Sequence, residues 1–145
     1  MEPYEILALV VGIVLVLRAI LSAIRTFVLP RATNDLVARM VFIWVRRGFD
    51  LATSWMRGYE RRDRLMSYFG PFALMAMPVA WLLMIGVGYT LIFWSTSSHP
   101  LDQAIVDSGS SLLTLGFASP EHFAGDVIAF SEAVIGLGLV ALLIA

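Results

Sequence analysis

From Pro71 to Trp94 the chain runs for 24 residues without a charge, and no charged side chain occurs from Leu65 to Leu101. A helix needs about 20 mostly apolar residues to cross a bilayer. Backbone inside hydrocarbon must satisfy its own hydrogen bonds, which restricts such a segment to a helix. A spanning helix over 71–94 follows, opened by Gly70 and Pro71, with a kink expected at Pro78. Tyr68 and Phe69 on one side and Trp94 on the other suit interfacial aromatic belts.

Composition extends this reading to the whole chain. The 145 residues are 59% hydrophobic and 14% charged, against about 45–50% and about 25% in soluble domains. Mean hydropathy is +0.85. These values exclude a disordered chain, a nucleic-acid binder and an ordinary soluble enzyme. There is no cysteine, which removes disulfides, thiolate catalysis and cysteine metal sites. The expected class is an all-α membrane protein with three transmembrane helices.

The first span occupies 1–30. Ile6 to Leu17 is an unbroken apolar run, followed by Arg18 and Arg25, and Pro30 ends it. A signal peptide would carry its basic residues before the apolar core and a small-residue cleavage motif after it; neither is present. Residues 31–64 read as a cytoplasmic, interfacial amphipathic helix from Thr33 to about Arg57, then a charged turn from Gly58 to Arg64. On a helical wheel Arg39, Arg46, Asp50 and Arg57 share one face. Val37, Val41, Trp44, Ala52 and Trp55 lie opposite, as in a helix lying in a membrane interface. Thr33 or Asn34 can cap it, and Asp35 with Arg39 and Asp50 with Arg46 or Arg47 can pair. The remaining segment, 65–145, contains the 71–94 helix, a more polar stretch, and a last apolar helix over 125–145. That helix ends without an anchor and is expected to be truncated.

Net charge is −1, yet all ten basic residues are arginines between Arg18 and Arg64, while 65–145 holds five acids and no base. The positive-inside rule places the Arg-rich segment 25–64 in the cytoplasm and the N-terminus outside. The polar stretch after Trp94 then lies outside, in a multi-pass protein of the cell membrane.

That stretch carries the decisive residues. Pro100 suits a first helical turn, Ser98 or His99 can cap it, and Asp102 favours its positive end. A short helix to about Leu113 would be followed by Thr114-Leu115-Gly116-Phe117. Non-helical backbone at membrane depth is tolerated only inside protein or beside water.

This arrangement resembles the pore module of the potassium-channel superfamily: outer helix, re-entrant pore helix, filter loop and inner helix. The family pattern Thr-x-x-Thr-x-Gly-(Tyr/Phe)-Gly is matched at Ser111, Thr114, Gly116, Phe117 and Ala118. The resemblance covers about Pro71–Ala145, with pore helix and filter at about 99–119. It implies a homotetrameric pore in the lipid bilayer. Monovalent cations would be bound by the backbone carbonyls of Thr114, Leu115, Gly116 and Phe117, which replace the ion's water. It implies K+ as the permeant ion, no cofactor and no catalytic residue. Two residues depart from the pattern: Ala118 replaces the last filter glycine, and Ser119 replaces the acid that commonly follows. A Cβ in left-handed backbone costs about 1–2 kcal/mol, so a poorer exclusion of Na+ is expected, sharpened by Ala118→Gly. The alternative is a non-conducting scaffold or regulatory subunit with a decayed filter.

Asp107 can sit behind the filter, and Glu121 and Asp126 can flank an outer mouth that concentrates cations. Glu132, an acid within a span, is a functional candidate; it either hydrogen-bonds behind the filter or faces the cavity. Gly138 stands where the family has a hinge glycine, and Gly136 or Gly138 can equally serve close packing. Arg18 either snorkels or pairs. His99 and His122 make no metal site. Ser110 with His122 lacks the second glycine of a serine-protease motif.

Overall fold

A computed structural model describes residues 2–28, 35–54, 66–96, 100–118 and 123–144. They form five helices: α1 (Pro3–Val28), α2 (Leu36–Ser54), α3 (Phe69–Thr96), α4 (Leu101–Leu112) and α5 (Phe123–Ile144). No strand occurs among the described residues. Pro3–Thr26, Phe69–Thr96 and Phe123–Leu142 are long and apolar enough to cross a membrane. The fold is therefore all-helical and compatible with a multi-pass membrane protein.

Lipid tails are as apolar as leucine, so membrane helices associate through close packing and hydrogen bonds rather than hydrophobic transfer. α1 and α3 follow that logic. Ala8, Gly12, Val16, Ala19 and Ala23 form a buried stripe of mostly small residues along α1. It packs on α3, whose Met77, Trp81, Ile85, Tyr89 and Phe93 fill the same core. The two helices run antiparallel: the rings of Tyr4 and Trp94 lie 6.0 Å apart at one end, and Trp81 Nε1 donates to Ser22 Oγ at 2.9 Å toward the other. A Cβ built on Gly12 would lie 2.6 Å from the Gly88 carbonyl oxygen, and one on Gly88 would lie 2.9 Å from the Gly12 oxygen. The backbones touch at this pair.

α3 begins at Phe69 and ends at Thr96, two residues beyond the expected span at each end. Pro71 falls in its first turn, where no N–H is needed. Pro78 is buried inside a helix that continues on both sides of it.

The N-cap of α2 is Asp35. Its carboxylate accepts the Ala38 N–H at 3.2 Å, and its carbonyl accepts the Arg39 N–H at 3.0 Å. The Ser22 hydroxyl donates to the same carboxylate. Trp81, Ser22 and Asp35 thus tie α3, α1 and α2 together. Val37, Ala38 and Val41 pack on the core, and Phe49 meets Phe69 and Phe72 edge-on at 5.9 and 5.8 Å. Trp44 is 69% exposed, with the Arg47 guanidinium 6.0 Å from its ring. Arg46 and Asp50 approach to 4.0 Å on the exposed face, a pair worth little. Thr33, Asn34, Trp55, Arg57 and the turn 58–64 lie outside the described residues.

Candidate functional site

α4 starts without a side-chain cap. Pro100 is its N-cap, in extended backbone, rather than a first-turn residue, and its carbonyl accepts Gln103 and Ala104 N–H at 3.1 and 3.3 Å. Asp102 lies in the first turn, where the helix dipole favours an acid. The helix is only 12 residues long, about 18 Å. Its last residue, Leu112, reaches Gly86 in the middle of α3 and Gly136 in the middle of α5. A Cβ on Gly136 would meet the Leu112 carbonyl oxygen at 2.6 Å, and one on Gly86 would meet Leu112 Cδ2 at 3.3 Å. α4 therefore leaves the end of α3 and descends about ten residues' depth between α3 and α5.

The helix ends in a Schellman arrangement. Thr114 N–H donates to the Ser111 carbonyl at 3.0 Å and Leu115 N–H to the Ser110 carbonyl at 2.9 Å. This pattern places its left-handed residue, usually glycine, at Thr114. Thr114 has φ 53°, the one positive-φ residue other than glycine among those described, and Gly116 has φ 68°. A β-branched residue there is an outlier. The left-handed positions are thus Thr114 and Gly116. Ala118, expected to carry such geometry, does not, so the left-handed strain falls on Thr114 instead. Ala118 is instead latched to Ser110, whose buried hydroxyl donates to its carbonyl at 3.3 Å and accepts its N–H at 3.1 Å.

Ser111, Thr114, Gly116, Ala118 and Asp126 line one cleft of about 280 Å³, closed on its far side by Ala129, Phe130 and Ala133 of α5. Leu115 and Phe117 are exposed. Glu132 does not enter this cleft. It is fully buried where α5 meets α4, its Oε1 2.6 Å from Ser108 Oγ, which also lies 3.1 Å from the Gly86 carbonyl oxygen. Glu132 Oε2 is buried with no hydrogen-bond partner among the described residues. Asp107 is buried in α4 near Ser108 in sequence. Beside Glu132, Ser131 Oγ shares a 2.8 Å hydrogen bond with Tyr89 of α3. Gly136 is occupied by packing against Leu112, while Gly138 faces open space. Ser119, Glu121, His99 and His122 lie outside the described residues.

The left-handed Thr114, the Ser110 latch and the Ser108–Glu132 contact have no local sequence signature. Each depends on where α4 stops, and Leu112 against two glycines of other helices sets that.

Comparison with known protein families, curated proteins and solved structures finds no match to this chain.

Proposed function

We propose that the chain is the pore-forming subunit of a tetrameric, potassium-channel-like cation channel. The observation that carries this reading is Thr114 in left-handed backbone. It ends a half-depth helix between two long apolar helices and begins Thr-Leu-Gly-Phe. A strained non-glycine residue persists where the surroundings require it, and such residues cluster at functional sites. With α3 and α5 spanning a membrane, 113–118 is non-helical backbone at membrane depth, and it needs protein or water around it. Exposed Leu115, Phe117 and Phe130 supply an apolar surface for further copies. Four loops around an axis would provide that enclosure, with α4 as the re-entrant pore helix and α5 lining the inner pore.

In this reading K+ is the cargo. Carbonyls of Thr114, Leu115, Gly116 and Phe117 and the Thr114 hydroxyl replace its water. Ala118, just outside that row, is held by Ser110 through both its carbonyl and its N–H. The outer end of the row is set by this latch where the family pattern has a glycine, and in this reading Na+ is excluded less strictly. Asp126 raises cation concentration at the outer end. The N-terminus lies outside, the Arg-rich segment inside, and α2 rests at the cytoplasmic interface. The engaged Ala118 carbonyl also favours a second reading, a non-conducting scaffold or regulatory subunit with a decayed filter.

The test is the full chain reconstituted in liposomes. K+ flux exceeding Na+ flux, lost in Gly116→Ala, with a mass of four subunits, supports the channel. A folded monomer or dimer sinks it, and a tetramer without flux selects the scaffold.

A further inference from the structure

Two recesses meet at Arg18. The first is a cleft of about 290 Å³ between α1 and the start of α2, where Arg18, Ser22, Arg25 and Asp35 join the apolar Leu21, Leu36 and Val37. The second is an apolar groove of about 610 Å³ between α1, α2 and α3, walled by Leu15, Trp44, Ala76, Ala80 and Met84. Arg18, Leu36 and Val37 line both. The one acid of the cleft is occupied: the Asp35 carboxylate takes the Ser22 hydroxyl and the Ala38 N–H, at the positive end of the α2 dipole. Arg18 and Arg25 are both exposed, and neither makes an ion pair with a described residue. They lie on one face of α1, about 10 Å apart along its axis.

Arg18 is ten residues from the end of α1, about 15 Å along a helix that can cross a membrane. A guanidinium at that depth demands an anion or water. A cationic cleft opening into an apolar groove is complementary to a molecule with a phosphate at one end and a hydrocarbon chain at the other. We infer that α1, α2 and α3 bind one anionic phospholipid, its phosphate held by Arg25 and Arg18 and an acyl chain lying in the groove. Phosphate and guanidinium are matched in geometry and charge. Ser22 and Asp35 set the cleft's floor, because their hydrogen bond fixes the distance between α1 and the α2 N-terminus. The site rests on α1 and α3 being in a membrane and not on the loop conducting ions.

The experiment uses the full chain in phosphatidylcholine nanodiscs with phosphatidylglycerol as a minority lipid. Retained lipid is read by native mass spectrometry, and stability by thermal unfolding. Phosphatidylglycerol should be retained selectively and raise the unfolding midpoint. At about 1 kcal/mol per arginine, Arg25→Gln should weaken retention about fivefold and Arg18→Gln with Arg25→Gln about thirtyfold. Ala80→Phe, which fills the groove while keeping both arginines, should expel the lipid in a folded protein. Arg46→Gln with Arg47→Gln, on the exposed face of α2, should leave retention unchanged. Equal loss from that control pair would overturn the site as mere surface charge. Undiminished retention in Ala80→Phe, or the same stabilisation by inorganic phosphate alone, would overturn it as a lipid site. None of these readouts involves ion flux, so a chain that does not conduct leaves the test intact.

Discussion

Thr114 pits stability against chemistry. In its position a glycine would relieve about 1–2 kcal/mol of left-handed strain. Thr114→Gly is therefore expected to raise the unfolding midpoint while removing the hydroxyl, which donates to the Leu113 carbonyl at 2.8 Å, from a residue that lines the cleft with Ser111 and Asp126. The measurement is paired: thermal unfolding should improve and K+ flux should fall. Improved or unchanged flux would show that the threonine is only a cap. Gly116 is legible in the sequence as a residue needing left-handed freedom; the motif extends the same expectation to Ala118 by position, and there the structure differs. What decides Ala118 is the Ser110 hydroxyl eight residues upstream, a contact that spacing does not announce. The buried Ser108–Glu132 pair between α4 and α5 makes a second prediction. Ser108→Ala leaves a buried carboxyl oxygen without its partner, at a cost of about 1–3 kcal/mol or more for a charged group. Removing both partners, as Ser108→Ala with Glu132→Met, should cost less than the sum of the two single changes. A double-mutant cycle read by denaturant unfolding checks this, and strict additivity would show that the contact carries no energy.

Helix pairs are set by residues that were visible in the sequence without their partners being so. Gly12 sits inside an apolar run and Gly88 inside another. Nothing local joins them, yet each stands where the other's carbonyl oxygen leaves no room for a Cβ. Gly12→Ala should push α1 from α3 and destabilise the fold by about 1–3 kcal/mol, the range for overpacking a close contact. Gly48→Ala in α2, where nothing lies within 4 Å, should instead be neutral or stabilise by up to about 1 kcal/mol. Unfolding in a graded denaturant distinguishes the two, and equal effects would contradict the close approach of α1 and α3. The start of α2 illustrates the same limit of local reading. The sequence offers Thr33 or Asn34 as the cap, but Asp35 accepts the Ala38 N–H, with its carboxylate held by Ser22 of α1, which in turn accepts from Trp81 of α3. Its expected partner, Arg39, is one turn away in sequence and outside that buried chain of hydrogen bonds.

Across the whole molecule the spans were the most legible feature, because hydrocarbon imposes a length and a composition that few other environments require. The path of α4 was less so: its length could be read, but its descent to Gly86 depends on small residues in helices before and after it. The structure puts Pro3, Thr96, Leu101 and Phe123 toward one end of the bundle, since α1 and α3 are antiparallel and α4 starts where α3 stops. The arginines Arg18 and Arg25 lie toward the opposite end of α1, the end that the proposed topology assigns to the cytoplasm by the positive-inside rule. Cysteines introduced singly at Glu2 and Ser97 should then react with an impermeant thiol reagent from outside intact cells. One at Arg61 should react only after permeabilisation. The chain has no cysteine of its own, so each label reports one site. Reversed labelling would put the Thr114–Ala118 loop on the cytoplasmic side. The loop could then no longer serve as an outward-facing filter, while the Arg18–Arg25 cleft would face the other leaflet. The same three labels thus bear on both ends of the bundle, and a mixed pattern, with Glu2 and Ser97 on opposite sides, would break the antiparallel pairing of α1 and α3 itself.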